Sequence, residues 1–236
     1  MNDADLTLVL DTSICGLRLA LVHPESKNSG VPLWQGGLNE AQGSAARLSG
    51  ILKDGLNASG FRADSIQSAL VSCGPGSFTG IRVGIAFARG LFANRLELAE
   101  GCSSLGLFAS SESARRGCPV AVYLPATRTA GYVVIANTPN DLQSLPMTVD
   151  DFAHVSPASL SAGTVTIIAG VWPALTQAFD LAGINYELKS VSDVADAACM
   201  EMCRLAASRR IIDGGSGLRP IYLRRSSVEE KNVRAL

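Results

Sequence analysis

Leu6-Thr-Leu-Val-Leu-Asp-Thr-Ser-Ile-Cys-Gly-Leu-Arg-Leu-Ala-Leu-Val22 is the stretch on which the fold turns. Residues 6–10 form a short apolar run ending at Asp11, the pattern of a buried strand. Turn residues fill 11–16 and an apolar run returns over 17–22, so the stretch reads as a β-hairpin. Working outward, a third strand is expected over 31–35. Over 41–56, Ala45, Leu48, Ile51, Leu52 and Leu56 recur at helical spacing, and 57–60 closes that helix. A strand over 69–73 is broken by Gly74-Pro75-Gly76, and helical spacing resumes over 78–94. An extended exit at 97–99 leads to a further helix through about 114, capped by Ser103.

The second half repeats this plan. Residues 120–124 and 131–136 pair as strands, 145–149 supplies a third, and a short segment follows near 156–160. A strand over 165–169, a helix over 172–181 and a last helix over 192–210 complete the copy. Asp213-Gly-Gly-Ser-Gly217 breaks the chain before an extended 220–224. Both halves can be written βββαβα, which predicts an α/β protein of two similar subdomains. The boundaries are expected at 1–104 and 105–214, with a tail over 215–236.

The loop at 74–80 precedes a helix, where backbone N–H groups and the helix dipole could converge on an anion. The spacing matches neither the P-loop nor the dinucleotide fingerprint nor a nucleophile elbow. A tight turn with Ser77 capping the helix explains the loop alone. The helix is more telling: Gly80, Gly84 and Ala88 line one face with the smallest side chains. Glycine inside a helix costs up to about 1 kcal/mol relative to alanine, so the pair implies that another helix approaches closely, either inside the fold or from a second chain. Leu48 and Leu52 on the first helix, with Ser77, Ile81, Ile85 and Phe92 around the small face, are the expected partner interface. Asp11, Thr12 and Ser13 form a degenerate phosphate hairpin, although turn capping is the commoner role of such residues.

Composition narrows the function. Of 236 residues only 17% are charged, and 20 Lys+Arg against 21 Asp+Glu give a net charge of −1. A chain that grips nucleic acid alone needs a basic surface. Sparse charge instead fits a surface covered by another chain. Neither the N-terminal residues nor any long apolar run suggests a signal peptide or membrane span, and six cysteines without a paired pattern suggest a reduced, cytoplasmic protein. Cys199 and Cys203 share a helix face but lack two further zinc ligands. Two histidines, His23 and His154, argue against a Ser-His-Asp hydrolase, and a peptidase finds no support.

Leu8-Val-Leu-Asp-Thr-Ser13 and Gly74-Pro-Gly-Ser-Phe-Thr-Gly-Ile-Arg-Val-Gly84 together resemble the TsaB (YeaZ) family. Pro220-Ile-Tyr-Leu-Arg224 is similar to that family's closing motif. The resemblance runs along the whole chain, specific at 74–84 and loose from 137 to 215. It implies an actin-like ATPase (ribonuclease H-like) fold. It also implies a non-catalytic subunit in the synthesis of threonylcarbamoyladenosine, beside the anticodon of tRNAs that read codons beginning with A. The catalytic chain there is the related TsaD, with metal-binding histidines, and the ATPase TsaE binds the pair. Helices corresponding to 41–57 and 77–95 would pair with TsaD, or with a second copy when TsaD is absent. Contact with tRNA would come mainly through the complex. No catalytic residue, metal or resident cofactor is implied for this chain; ATP or ADP at the Asp11 hairpin is a lesser expectation.

Two stretches depart from the family. A polar cluster usually opens the first helix, where this chain has Glu40-Ala-Gln-Gly-Ser-Ala-Ala46, and the family's Asp-Ala-Arg segment is Pro125-Ala126-Thr127-Arg128 here. The alternative reading is a stand-alone actin-fold ATPase or kinase with Asp11 as its metal-side carboxylate.

Overall fold

β1 (Leu6–Asp11) and β2 (Leu17–Val22) are buried at every position, as strands covered on both faces must be. β1 therefore lies at the centre of a five-stranded sheet of order β3-β2-β1-β4-β5. It pairs antiparallel with β2, with Asp11 opposite Arg18, and parallel with β4 (Ile66–Ser72). β3 (Trp34–Leu38) and β5 (Ala99–Cys102) form the edges. The computed structural model describes residues 5–23, 30–40, 43–148, 163–208 and 217–222.

A helix follows each of β3, β4 and β5: α1 (Ser44–Ser59), α2 (Phe78–Leu91) and α3 (Ser104–Arg116). α1 lies against β2 and β3, and α2 against β1 and β4. Ser77 caps α2 by accepting from Gly80 N at 3.1 Å, and Ser103 does the same for Gly106 N at 3.0 Å. Both caps are the ones the sequence predicts.

The second sheet is built from β6 (Val120–Pro125), β7 (Ala130–Thr138), β8 (Asp141–Thr148), β9 (Val165–Ala169) and β10 (Glu187–Lys189). Its order is β10-β9-β6-β7-β8. Counted within each half, both sheets run third-second-first-fourth-fifth, so the chain is a duplicated α/β unit of the actin-like type. α4 (Pro173–Leu181) packs Leu175 and Phe179 against Tyr123, Val133, Ile168 and Trp172.

Met1–Phe108 with Val191–Pro220 forms one compact unit and Ala109–Ser190 with Ile221–Leu236 the other, each over its described residues. The sequence places the last helix, α5 (Val191–Ala207), in the second half; in space it packs on β1 and β2 of the first. Cys199, Met202 and Cys203 of α5 meet Val9, Ala20, Val22, Leu70 and Cys102. Alternation in β1 thus sends Val9 toward α5, while Leu10 faces α2, within 3.8 Å of where a Gly84 side chain would begin.

Several boundaries differ from expectation: β4 starts at Ile66 rather than at 69, β5 covers Ala99–Cys102 rather than 97–99, and β8 starts at Asp141 rather than at 145. β3 spans Trp34–Leu38 rather than 31–35, because its two glycines hide the strand pattern. Gly36 is covered by the Trp34 ring, and a side chain on Gly37 would strike the Leu17 carbonyl. β10, three residues long, gives too little alternation to be read. α2 stops at Leu91, and Phe92 N–H closes back on Ala88 O at 2.9 Å. The segment near 156–160, the end of the last helix at 209–210 and the 213–216 break lie outside the described residues.

Candidate functional site

The turn after β1 is a polar knot sealed inside the first unit. Asp11, Thr12 and Ser13 are 1%, 3% and 0% exposed. Asp11 Oδ1 accepts from Ser13 N and from Ser13 Oγ, both at 2.7 Å, an Asx-turn that needs these residue types at this spacing. Ser13 Oγ continues to Ser72 Oγ at 2.7 Å at the end of β4, and Ser72 Oγ to Ser104 Oγ at 2.8 Å at the start of α3. Hydroxyls from three elements thereby share their hydrogens around one carboxylate.

The first turns of α2 sit directly on this knot. Ser13 O accepts from Ser77 N at 2.7 Å, and Thr12 Oγ1 donates to Gly80 O at 2.6 Å. A Cβ on Gly76 would strike Ser13 O, one on Gly80 would strike Thr12 O, and one on Gly84 would meet Thr12 Oγ1. The close neighbour that the small face of α2 requires is therefore the chain's own Asp11–Ser13 turn. It is not a helix. The hydroxyls and carbonyls that could have faced a phosphate are spent on α2, α3 and β4.

Most of the expected interface residues lie in the same core. Leu48, Leu52, Ile81, Ile85, Ala88 and Phe92 are each no more than 5% exposed, Gly84 is buried and Gly80 half-buried. Only Ser77 is exposed, and its hydroxyl caps α2. The outward face is a different set that helical-core reasoning passed over. On α2 it includes Thr79, Ala86 and Gly90, exposed, with Val83 and Phe87 half-buried between them and the exposed Arg82 and Arg89 beside them; on α1 it includes Ala45, Ala46, Ser49 and Gly50, with the exposed Arg47, Lys53 and Asp54. Side chains on Gly50 and Gly90 would meet nothing within 4 Å. Two helical glycines that nothing among the described residues covers were the signal available in the sequence.

One atom of the knot stands out. Asp11 Oδ2 is buried with no hydrogen-bond partner among the described residues. The thiols near it are inert: burial first, then the Asp11 charge, pushes Cys102 well above its usual range. Cys199 is pushed up by its hydrogen bond with Cys203, then by burial. Burial likewise raises Cys73 to about 11. Buried thiols held protonated are neither nucleophiles nor ready ligands. Among the described residues no group of three or more His, Cys, Asp or Glu is placed to hold a metal.

The second unit repeats the hairpin without the chemistry. β6 ends at Pro125, where β1 ends at Asp11, and the turn is closed without a carboxylate: Ala126 N and Thr127 N donate to Ala130 O at 3.0 and 2.8 Å, and Ala130 N donates to Thr127 Oγ1 at 3.0 Å. Trp172 Nε1 donates to Arg128 O at 2.9 Å, so the departing segment is held from α4's start. Of the two hairpins, only the first carries a carboxylate at this turn.

Comparison with known proteins agrees with this architecture. The family model for TsaD, tRNA N6-adenosine threonylcarbamoyltransferase, matches residues 40–164, more than half of the chain. The chain belongs to this family. Its fold is that of YeaZ: YeaZ from Pseudomonas aeruginosa superposes with a TM-score of 0.66 at 19% identity, covering 93% of this chain and 100% of the other. A second Pseudomonas aeruginosa structure, described as similar to the peptidase YeaZ, gives 0.64 at 20% identity over the same shares. No curated protein sequence matches. No helix among the described residues is long and apolar enough to cross a membrane.

Proposed function

We propose that this family member is the non-catalytic, YeaZ-type subunit of a cytoplasmic complex that forms threonylcarbamoyladenosine in tRNAs reading codons that begin with A. It pairs with a TsaD-like catalytic subunit, is contacted by a TsaE-like ATPase, and pairs with itself when alone. The observation that carries the reading is the family match over 40–164 on a YeaZ-type fold. The side-chain inventory supports a non-catalytic role: with His23 and His154 as its whole complement of histidine, the chain lacks the histidine pair expected of a metal-bearing catalytic relative. Its near-neutral charge is consistent with leaving most tRNA contact to its partners.

The pairing surface in this proposal is the outward face of α1 and α2. Exposed glycines within a helix each cost up to about 1 kcal/mol with no compensating contact in the chain itself. A second helix laid across Gly50, Ala86 and Gly90 supplies the missing contact, because small residues let backbones approach closely. The test is removal of the gene followed by mass spectrometry of digested tRNA. Loss of threonylcarbamoyladenosine, restored by the wild-type chain, is expected; its retention sinks the assignment. A second reading, an ATPase built on Asp11, is favoured by one observation, the partnerless Asp11 Oδ2.

A further inference from the structure

Away from the Asp11 turn, the first unit holds a cavity of about 460 Å³ between the edge strand β3 and α5. Its walls differ in kind. Gly36 and Gly37 of β3 contribute backbone alone, and Ala197 and Met200 of α5 contribute small or soft apolar surface. Arg18, Asp196, Gln35 and Asn39 supply the polar groups.

The hydrogen-bond inventory of those groups decides what can enter. Arg18 is 8% exposed and almost fully engaged. Nε donates to Asp196 Oδ1 at 2.5 Å, Nη1 to the carbonyls of Cys15, Leu17 and Leu38 at 3.3, 3.1 and 3.0 Å, and Nη2 to Asn39 Oδ1 at 2.8 Å. That leaves one Nη2 hydrogen without an acceptor among the described residues. Asp196 keeps its second oxygen without a partner there, on a side chain 62% exposed. Asn39 still offers its amide N–H₂, and Gln35 offers both halves of its amide. The guanidinium charge is already offset by Asp196, so the cavity has no spare cation for a phosphate or a carboxylate. Donor and acceptor stand side by side instead, between a bare peptide wall and an Ala-Met wall.

We propose that this cavity is a binding site for an uncharged heterocyclic base. The Arg18–Asp196–Gln35–Asn39 set reads its donor–acceptor edge, and its faces lie against the Gly36–Gly37 backbone and Met200. A volume of 460 Å³ is within the usual range of small-molecule sites. The base can come from a free nucleoside or from an unstacked nucleotide of single-stranded RNA; only the RNA source rests on the tRNA reading above.

Calorimetry on the full chain tests the proposal with adenosine and cytidine, a single-stranded RNA hexamer and ribose 5-phosphate. Two variants accompany the wild type. Ala197→Phe fills the cavity and is expected to abolish binding. Gln35→Ala, on an exposed edge-strand position, is expected to weaken it about fivefold to tenfold, the effect of one lost hydrogen bond. A melting curve checks the fold of each, and Gln35→Ala decides alone if Ala197→Phe does not fold. Nucleoside binding sensitive to the variants assigns the site to free bases; hexamer binding alone, with the same sensitivity, assigns it to RNA. Ribose 5-phosphate binding as tightly as the nucleosides, no binding at millimolar concentration, or binding indifferent to the variants overturns the proposal. Lost tRNA modification in the deletion strain beside an empty cavity removes this inference alone, and intact modification beside nucleoside binding removes the functional reading alone.

Discussion

Gly84 of α2 lies against the Thr12 side chain, whose hydroxyl donates a 2.6 Å bond to Gly80 O one turn earlier in the same helix. The β1 turn is thus seated on a helix face kept bare for it. Gly84→Ala puts a methyl into the Thr12 hydroxyl, and overpacking of this kind costs about 1–3 kcal/mol, more than the gain of up to about 1 kcal/mol in helix propensity. Gly50→Ala, on α1, enters open space and keeps only the gain. Urea denaturation is expected to move the two midpoints in opposite directions. A bulky residue such as Leu at 84 unseats the turn itself, so it cannot serve as a probe of partner binding that leaves the fold intact.

Ala86 is the better probe of assembly, because its side chain is exposed on the outward face of α2. Ala86→Arg is expected to leave the melting temperature of the isolated chain within about 2 °C, as surface substitutions do. It should abolish co-elution with a TsaD-like partner and dissociate the homodimer in size-exclusion chromatography. An unchanged complex places the interface elsewhere.

The second unit carries an acid-sensitive tie. Arg116 donates to Glu187 through Nη1 and Nη2 at 2.6 and 2.7 Å and to Glu112 Oε2 through Nε at 3.0 Å. The Arg116 bonds hold Glu187 below its usual range. For Glu112, burial pulls upward, but the bonds from Arg115 and Arg116 outweigh it and leave the carboxyl lowered. A lowered folded pKa contributes stability above the unfolded value of about 4.3 and loses it as pH falls through the folded value. Wild type should therefore lose an extra increment between about pH 5 and pH 3 that Arg116→Met lacks. With Glu187 45% exposed, the increment is about 1 kcal/mol or less and shrinks in high salt. Thermal melts across that range, with equal slopes for both proteins, would falsify the tie.

Asp11 separates the subunit reading from the ATPase reading. Asp11→Ala strands the Ser13 donors in a buried site and is expected to cost about 1–3 kcal/mol of stability. Asp11→Asn keeps an acceptor oxygen for Ser13 while removing the charge and putting an amide N–H₂ in place of the second oxygen. Calorimetry with MgATP is expected to give no micromolar binding to wild type. Micromolar binding that disappears in Asp11→Asn moves the chain to the ATPase reading.

Much of this architecture was legible because its signals are local. Leu6 to Leu10 could be read as a central strand from its unbroken apolar run, and Ser77 as a cap from its place before a periodic segment. The doubled hairpin followed from the same pattern at 120–136. The meaning of Gly80 and Gly84 was not local: a bare helix face looks the same whether a helix or a turn from far along the sequence fills it. Composition tilted that reading toward a second chain, and Thr12 filled the space instead. The cavity beside β3 was beyond pattern for the same reason, since Arg18 and Asp196 are 178 residues apart.

That long-range pair gives the last test. Arg18 gathers carbonyls from the β1–β2 turn and from the end of β3, and only its Nε bond reaches α5. Its two partners are unequal: the Arg18 side chain is 9% exposed and Asp196 62%. Removing the exposed member costs little, because water replaces what it gave; removing the buried one leaves several carbonyls short of donors at once. Asp196→Asn is therefore expected to cost about 1 kcal/mol or less, and Arg18→Met about 3 kcal/mol, in urea denaturation. Hydrogen exchange should locate the difference. In Arg18→Met the amides of β3 open faster while those of β1 stay protected, whereas Asp196→Asn loosens only the N-terminal turns of α5. Equal costs for the two variants would mean that the ion pair, and not the carbonyl cluster, holds β3 in place.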